Sequence, residues 1–67
     1  MIKFKERLKE LRLEKELSQD ELAKALHINQ RSISNWETGV RQPDYETLAL
    51  IAEYFSVTTD YLLGISD

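Results

Sequence analysis

The spacing of apolar residues along the chain is helical from one end to the other. Apolar positions recur three and four residues apart, and no alternating run of β-branched residues marks a strand. Only two glycines and one proline interrupt the sequence. The pattern predicts five short helices, at about residues 2–15, 19–26, 30–37, 45–55 and 59–63. We therefore expect a single all-α domain over residues 1–67.

Residues that cap helices stand at the predicted boundaries. The predicted N-caps are Ser18, Asn29, Asp44 and Thr58. Ser18 and Glu21 have the spacing of a capping box, in which each side chain accepts a hydrogen bond from the other residue's backbone N–H. Gly39 and Gly64 stand where helices should end, because glycine tolerates the positive φ common there.

The second and third predicted helices are joined by so short a link that they must cross at a steep angle. Ala23, in the middle of the second helix, is small enough for the third helix to approach closely. Apolar residues of both helices and the turn have the spacing of a shared core: Leu22, Leu26, Ile28, Ile33 and Trp36. This combination predicts a helix-turn-helix unit.

The third helix carries two different faces. At 100° per residue, Ile33, Trp36 and Glu37 fall on one arc and face the core. The opposite arc is polar without an acid and carries Gln30, Arg31, Ser34, Asn35 and Thr38. An ordinary solvated surface is the alternative, but elsewhere this chain builds such surface from alternating Lys and Glu. Arginine matches the acceptors of guanine and side-chain amides match adenine, so the arc predicts contact with base edges in a major groove.

Three stretches resemble the Cro and phage-repressor type of helix-turn-helix domain. Residues 17–23 (LSQDELA) resemble the opening of its helix-turn-helix, 36–43 (WETGVRQP) the exit from its recognition helix, and 61–64 (YLLG) an ending of its Gram-positive and phage members. The resemblance spans about residues 4–64. It implies a five-helix lambda-repressor-like fold with the third helix in the major groove of an operator. It also implies a bacterial or phage transcription regulator, which we expect to be a repressor.

The resemblance implies roles for individual residues. The base-reading positions are Gln30, Arg31 and Asn35, with Ser34 beside them. Candidate phosphate contacts are Gln19, Thr38 and Arg41, to which the second helix adds Lys24. Gln19 is also implied to brace Gln30. Arg12 and Glu37 match a partly buried ion pair between the first and third helices, and the inward position of Glu37 disfavours two unpaired surface charges.

Two residues depart from the pattern of that family. His27 stands at a turn position where the family usually has glycine and the backbone needs positive φ. Histidine tolerates this conformation, so we expect a strained turn residue rather than a disrupted turn or a pH sensor. Glu16 stands where Gly or Asn is frequent, and an acid at a helix C-terminus is mildly unfavourable.

The net charge of −3 weighs against a nucleic-acid partner, because phosphate binding favours basic proteins. Acids concentrate on the first two helices and in the C-terminal half, away from the polar arc, and few cations remain to face phosphates. We therefore expect a homodimer, weak in solution and firm on a palindromic operator. Its interface is predicted around the last helix, at Val57, Tyr61, Leu63 and Ile65. The alternative is that these residues complete the monomer core.

Other classes of protein fit the sequence poorly. No cysteine and a single histidine leave too few ligands for a structural zinc site. No glycine-rich phosphate loop is present, and Asp20 with Glu21 is better explained as a capping turn than as a catalytic pair. We expect no enzyme activity, cofactor or small-molecule ligand. No stretch approaches a membrane span or a signal peptide, so we expect a cytoplasmic protein. An antitoxin or a protein-interaction adaptor built on the same domain remains the alternative.

Overall fold

The computed structural model describes residues 2–66, and every regular element in that range is an α-helix. The helices are α1 (Phe4–Glu14), α2 (Gln19–Leu26), α3 (Gln30–Thr38), α4 (Tyr45–Phe55) and α5 (Thr59–Leu63). The five predicted helices are confirmed, with boundaries shifted at α1 and by one residue at the end of α3. α1 begins later than predicted because Lys3 lies outside it, where its backbone N–H donates to the Leu63 carbonyl at 3.0 Å.

Side chains cap the helices at the predicted positions. The Ser18 hydroxyl accepts from the Glu21 N–H at 3.0 Å, and the Ser18 N–H donates to the Glu21 carboxylate at 2.8 Å. The side chains of Asn29, Asp44 and Thr58 accept from the backbone of α3, α4 and α5. The predicted caps are therefore confirmed, and each fixes where its helix begins.

Between residues 2 and 66, five residues adopt positive φ, and three of them are not glycine. Gly39 and Gly64 end α3 and α5 as predicted, and His27 ends α2 with φ 58°. Ser56 at φ 57° ends α4 in the same way, whereas Glu16 at φ 56° follows the C-cap of α1, Lys15, which has φ −87°. This conformation costs an ordinary residue about 1–2 kcal/mol. At Glu16 the strained backbone therefore costs more free energy than the unfavourable charge at the helix C-terminus that the sequence indicated.

The core lies where the five helices meet and takes apolar side chains from each of them. Its buried members are Phe4, Leu8, Leu11, Leu22, Ala23, Leu26, Ile33, Trp36, Ile51, Ala52, Phe55 and Leu62. α3 packs against both α1 and α2. Ile33 and Trp36 are buried, so the predicted inward arc of α3 is confirmed and its polar arc faces outward.

Candidate nucleic-acid interface

The outward arc of α3 gathers the predicted base-reading residues on adjacent turns. Gln30 and Arg31 occupy the first turn and are exposed, while Ser34 and Asn35 follow one turn later and are half-buried. The Asn29 side chain accepts from the Arg31 N–H at 2.8 Å and fixes the start of the helix beneath them. The first turn of α3 holds no acid. The face can therefore donate and accept hydrogen bonds without repelling a polyanion.

A buried ion pair lies behind this face. Arg12 donates to Glu37 through Nε at 2.7 Å and through Nη2 at 3.0 Å, and its Nη1 donates to the Leu17 carbonyl at 2.8 Å. The hydrogen bond to Glu37 raises the pKa of Arg12. The side chains of the pair are only 9% and 4% exposed. The resemblance implied this pair, and the structure places it between α1 and the end of α3, where a bidentate contact fixes both helices.

Gln19 connects the ion pair to the outward arc. Its Nε2 donates to Glu37 Oε1 at 3.1 Å, and its Oε1 accepts from Gln30 Nε2 at 2.7 Å. The sequence analysis placed Gln19 beside Gln30 but gave no contact between Gln19 and Glu37. Gln19, at the start of α2, thus contacts both the first residue of α3 and Glu37 near its C-terminal end.

Two predicted phosphate contacts stand where α3 ends: Thr38 is the last residue of the helix, and Arg41 lies in the loop that follows. The Thr38 hydroxyl donates to the carbonyls of Ser34 and Asn35 at 3.0 and 3.2 Å. The backbone N–H groups of Val40 and Arg41 also donate to the Asn35 carbonyl, at 2.9 and 3.3 Å. These hydrogen bonds hold the loop against the helix. The exposed Arg41 side chain is then the main cationic group of the loop.

A second cation, Lys5 of α1, lies beside this loop and was not among the residues predicted from the sequence. A β-carbon built on Gly39 would lie 3.2 Å from Cδ of Lys5 and 3.7 Å from its Nζ. Lys5, Arg41 and Trp36 line one shallow cavity of about 210 Å³. Folding alone brings residue 5 to residue 39, so helical spacing gave no signal for it.

Lys24 is a weaker candidate than Arg41 for a phosphate contact. Its Nζ lies 3.4 Å from Oδ2 of Asp20, one turn earlier on α2, and both side chains are largely exposed. Such an exposed pair is weak, so it leaves the lysine free to move. The nearby carboxylate nevertheless offsets the positive charge that a phosphate would meet.

The residues predicted for a dimer interface divide into two groups. Val57, Tyr61 and Leu63 are half-buried against the core, and the Arg7 guanidinium lies 4.1 Å from the centre of the Tyr61 ring. Ile65 is 66% exposed. The sequence analysis missed Tyr45, which is 91% exposed and lines a groove of about 140 Å³ together with Leu63. The available apolar surface therefore extends from the end of α5 to the start of α4.

The described part of the chain has neither a membrane-spanning helix nor a cluster of metal ligands. Between residues 2 and 66, no helix combines the length and the apolar character that crossing a membrane requires. Over the same residues, no three acidic or histidine side chains cluster closely enough to hold a metal ion.

Comparisons with known proteins agree with this geometry. The sequence profile of the helix-turn-helix family matches residues 8–62. The chain is 44% identical over 63 residues to the HTH-type transcriptional activator BcrR of Enterococcus faecalis, covering 94% of this chain and 31% of the relative. It is 43% identical over 58 residues to the HTH-type transcriptional regulator ImmR of Bacillus subtilis, covering 87% and 46%. A cryptic phage CTXphi transcriptional repressor of Vibrio cholerae, RstR, is 27% identical over 96% of this chain and 58% of its own length.

A solved structure gives the same result for the fold. The crystal structure of a transcriptional regulator from Listeria innocua superposes with a TM-score of 0.90 at 30% identity, over 100% of this chain and 63% of that one. The chain thus spans between about a third and three fifths of the length of these relatives. The matched profile includes the helix-turn-helix and the whole proposed face of α3. The chain belongs to the helix-turn-helix family of Cro/C1 type, a class of DNA-binding transcription regulators and not of enzymes.

Proposed function

We propose that this chain binds a palindromic DNA operator as a homodimer, with α3 in the major groove, and that it represses transcription. The observation that carries the proposal is the acid-free outward arc of α3, held in place from behind by Gln19 and the Arg12–Glu37 pair. A site that positions donors and acceptors on a rigid helix is suited to distinguishing base edges.

Each side chain of the arc has a matching partner in DNA. The exposed guanidinium of Arg31 suits the O6 and N7 acceptors of guanine, while the amides of Gln30 and Asn35 suit adenine. Ser34, half-buried between them, is short enough to contact either kind of base. We assign sequence discrimination to these four residues.

Phosphate contacts would frame the arc on two sides. Arg41 and Lys5 flank the loop after α3, and Gln19 lies at the start of α2 with one Nε2 hydrogen remaining. Thr38 and Lys24 are weaker contributors, because the first already donates to its own helix and the second has a nearby acid. So few cations imply weak binding by one copy at physiological salt.

A second copy would supply the missing affinity. One copy carries a single α3, whereas successive major grooves on one side of DNA lie about 34 Å apart. One copy therefore spans a single groove. The exposed Ile65 and the groove containing Tyr45 and Leu63 offer apolar surface for a twofold contact. A symmetric pair predicts an operator of two inverted half-sites.

Repression needs only occupancy of a site that overlaps a promoter, whereas activation also needs a surface that engages the transcription machinery. The similar proteins include a named activator and a named repressor, so similarity does not choose between the two. We propose repression, exerted in the cytoplasm, as the outcome that the described residues can produce by DNA binding alone. A reporter gene with the selected operator placed over its promoter tests whether binding represses or activates transcription.

Selection of ligands from a random DNA pool tests the proposed binding. The expected result is a palindromic consensus bound at least a thousandfold tighter than scrambled DNA. Footprinting should protect both half-sites, and a lone half-site should bind more weakly. Failure to enrich any sequence would support the adaptor alternative. An antitoxin would enrich an operator and also bind a toxin, which co-purification from the source organism would reveal.

A further inference from the structure

The hydrogen bonds behind α3 have a direction that is imposed by charge. A carboxylate can only accept hydrogen bonds, and both oxygens of Glu37 accept from Arg12. Gln19 must therefore turn its NH2 group, and not its carbonyl, toward Glu37 Oε1. Its Oε1 then points away from the ion pair and accepts from Gln30 Nε2 at 2.7 Å. The orientations of the Gln19 and Gln30 amides are therefore both set by the buried carboxylate of Glu37.

We infer that Glu37 selects the base that Gln30 contacts, although it does not touch DNA. This inference rests on the proposed function and adds a positioning residue to it. With one Nε2 hydrogen engaged by Gln19, the Gln30 amide retains its Oε1 acceptor and its second Nε2 hydrogen. Adenine presents the complementary N6 donor and N7 acceptor in the major groove. The reversed amide would turn its oxygen to Gln19 and present two donors, which suit the O6 and N7 acceptors of guanine.

The position of Glu37 allows it to fix the orientation of the Gln30 amide firmly. Its side chain is 4% exposed, and Arg12 holds both carboxylate oxygens, so the carboxylate cannot rotate away from Gln19 without losing a bidentate contact. Gln30 itself is exposed and would otherwise rotate freely in solvent. The buried pair thus determines the chemistry of an exposed amide two side chains away.

The test begins by locating the base that Gln30 contacts. Gln30→Ala should flatten base preference at one position of the selected half-site. Glu37→Gln should then change the preference at that same position. Because Oε1 accepts from both Arg12 Nη2 and Gln19, an amide at position 37 opposes one Arg12 donor whichever way it turns, and it no longer imposes one direction on Gln19. With its NH2 at the Oε1 position it would donate to Gln19 and reverse both amides, so the reversed orientation becomes accessible beside the wild-type one. We expect discrimination in favour of adenine to fall by about tenfold at that position, with guanine gaining.

Positions contacted by Arg31 and Asn35 in the same half-site are the internal control and should keep their preferences. Glu21→Gln is the matched variant, since it makes the same chemical change at a capping residue whose side chain is hydrogen-bonded to the backbone of Ser18. Gln19→Met guards against poor folding of Glu37→Gln, because it breaks the connection and leaves the ion pair intact. It should flatten preference at the Gln30 position and weaken binding to all sequences.

Two results would overturn the inference. One is a folded Glu37→Gln variant that keeps the wild-type preference at the Gln30 position, and the other is one that loses preference equally at every position. Nuclear magnetic resonance of the wild-type chain without DNA gives a second measurement. One Nε2 hydrogen of Gln30 should exchange slowly and show proximity to Gln19, and free exchange of both hydrogens would contradict the inference. Absence of any selected operator would instead count against the proposed function, and the resonance result would still decide the orientation of the amides.

Discussion

The inward and outward arcs of α3 belong to the same nine residues but differ in burial, polarity and purpose. Inward, Ile33 and Trp36 are buried among apolar side chains, and Glu37 is neutralised by Arg12. Outward, Gln30 and Arg31 are exposed and carry no acid. The outward arc makes little contribution to the core, so its composition is free to follow the operator. The inward arc fixes the rotation and position of the helix that presents it.

The two arcs are connected at only one place. Gln19 contacts Glu37 on the inward side and Gln30 on the outward side, with 3.1 and 2.7 Å hydrogen bonds. Elsewhere, substitutions on the inward arc should affect folding, and substitutions on the outward arc should affect base preference. The following predictions test that separation, beginning with the largest expected effect.

Trp36→Ala is expected to destabilise the chain most. Truncating a large buried aromatic residue costs about 3–5 kcal/mol, comparable to the whole stability of a small domain. Circular dichroism during thermal unfolding should show a largely unfolded protein. Retention of the fold with loss of DNA binding alone would mean that Trp36 faces outward, contrary to the assignment of the arcs.

Arg31→Ala is expected to spare the fold and reduce specific binding by about 1–3 kcal/mol. The exposed side chain makes no contribution to the core, so the melting temperature should stay close to that of the wild type. Quantitative binding to a panel of single-base operator variants should show relaxed preference at one position. Arg41→Ala is the matched control, and it should weaken binding to all DNA sequences alike. Equal loss of specificity in the two variants would contradict the separation of base contacts from phosphate contacts.

Local signals explain how much of this architecture the sequence could predict. The caps at Ser18 and Asn29 and the arcs of α3 depend on residues within one or two turns, so spacing alone identified them. The positive φ of Glu16 and Ser56 left no such signal, because neither is a residue that usually adopts it. The predicted roles of the site residues in DNA binding remain predictions.

Contacts between distant parts of the chain could not be predicted from spacing. Lys5 meets the loop at Gly39, and Arg7 covers the Tyr61 ring, only after α1 has packed against the other helices. The hydrogen bond from Gln19 to Glu37 depends likewise on the crossing of α2 and α3. Each of these three residues lies on the helix predicted for its position, but its partner comes from another part of the chain.

Ile65→Ser tests whether the surface after α5 serves dimerisation. An isoleucine that is 66% exposed in the monomer would bury apolar area in a dimer, worth about 1 kcal/mol per copy. Analytical ultracentrifugation with operator DNA should show weaker assembly of the second copy, with an unchanged melting temperature. Leu13→Ser, at a residue 54% exposed on α1, is the control. Equal effects of the two substitutions would count against an interface at Ile65.

Lys5→Gln tests the cation that the fold brings to the loop after α3. Removing one phosphate contact should lower the slope of log affinity against log salt by about one and leave every base preference intact. Lys9→Gln makes the same change one turn later on α1, at an exposed lysine, and should leave the slope unchanged. An unchanged slope in Lys5→Gln would mean that Lys5 is an ordinary solvated lysine and does not contact phosphate.

Acid titration should affect the helix caps and spare the outward arc, and its effect is the smallest expected. Hydrogen bonds from the Thr47 side chain and N–H lower the pKa of Asp44, and hydrogen bonds from Ser18 lower the pKa of Glu21. The unfolded chain then binds protons more readily than the folded one, so both groups stabilise the fold above their ordinary pKa values of about 4. That contribution should disappear as the pH falls below about 4 toward the lowered pKa values.

Denaturant unfolding at a series of pH values should show a smaller loss of unfolding free energy on acidification in Glu21→Gln and Asp44→Asn than in the wild type. Arg31→Ala should follow the wild-type curve, since the outward arc has no carboxylate to protonate. An altered curve in this variant would mean that the outward arc is coupled by charge to titrating groups elsewhere in the fold.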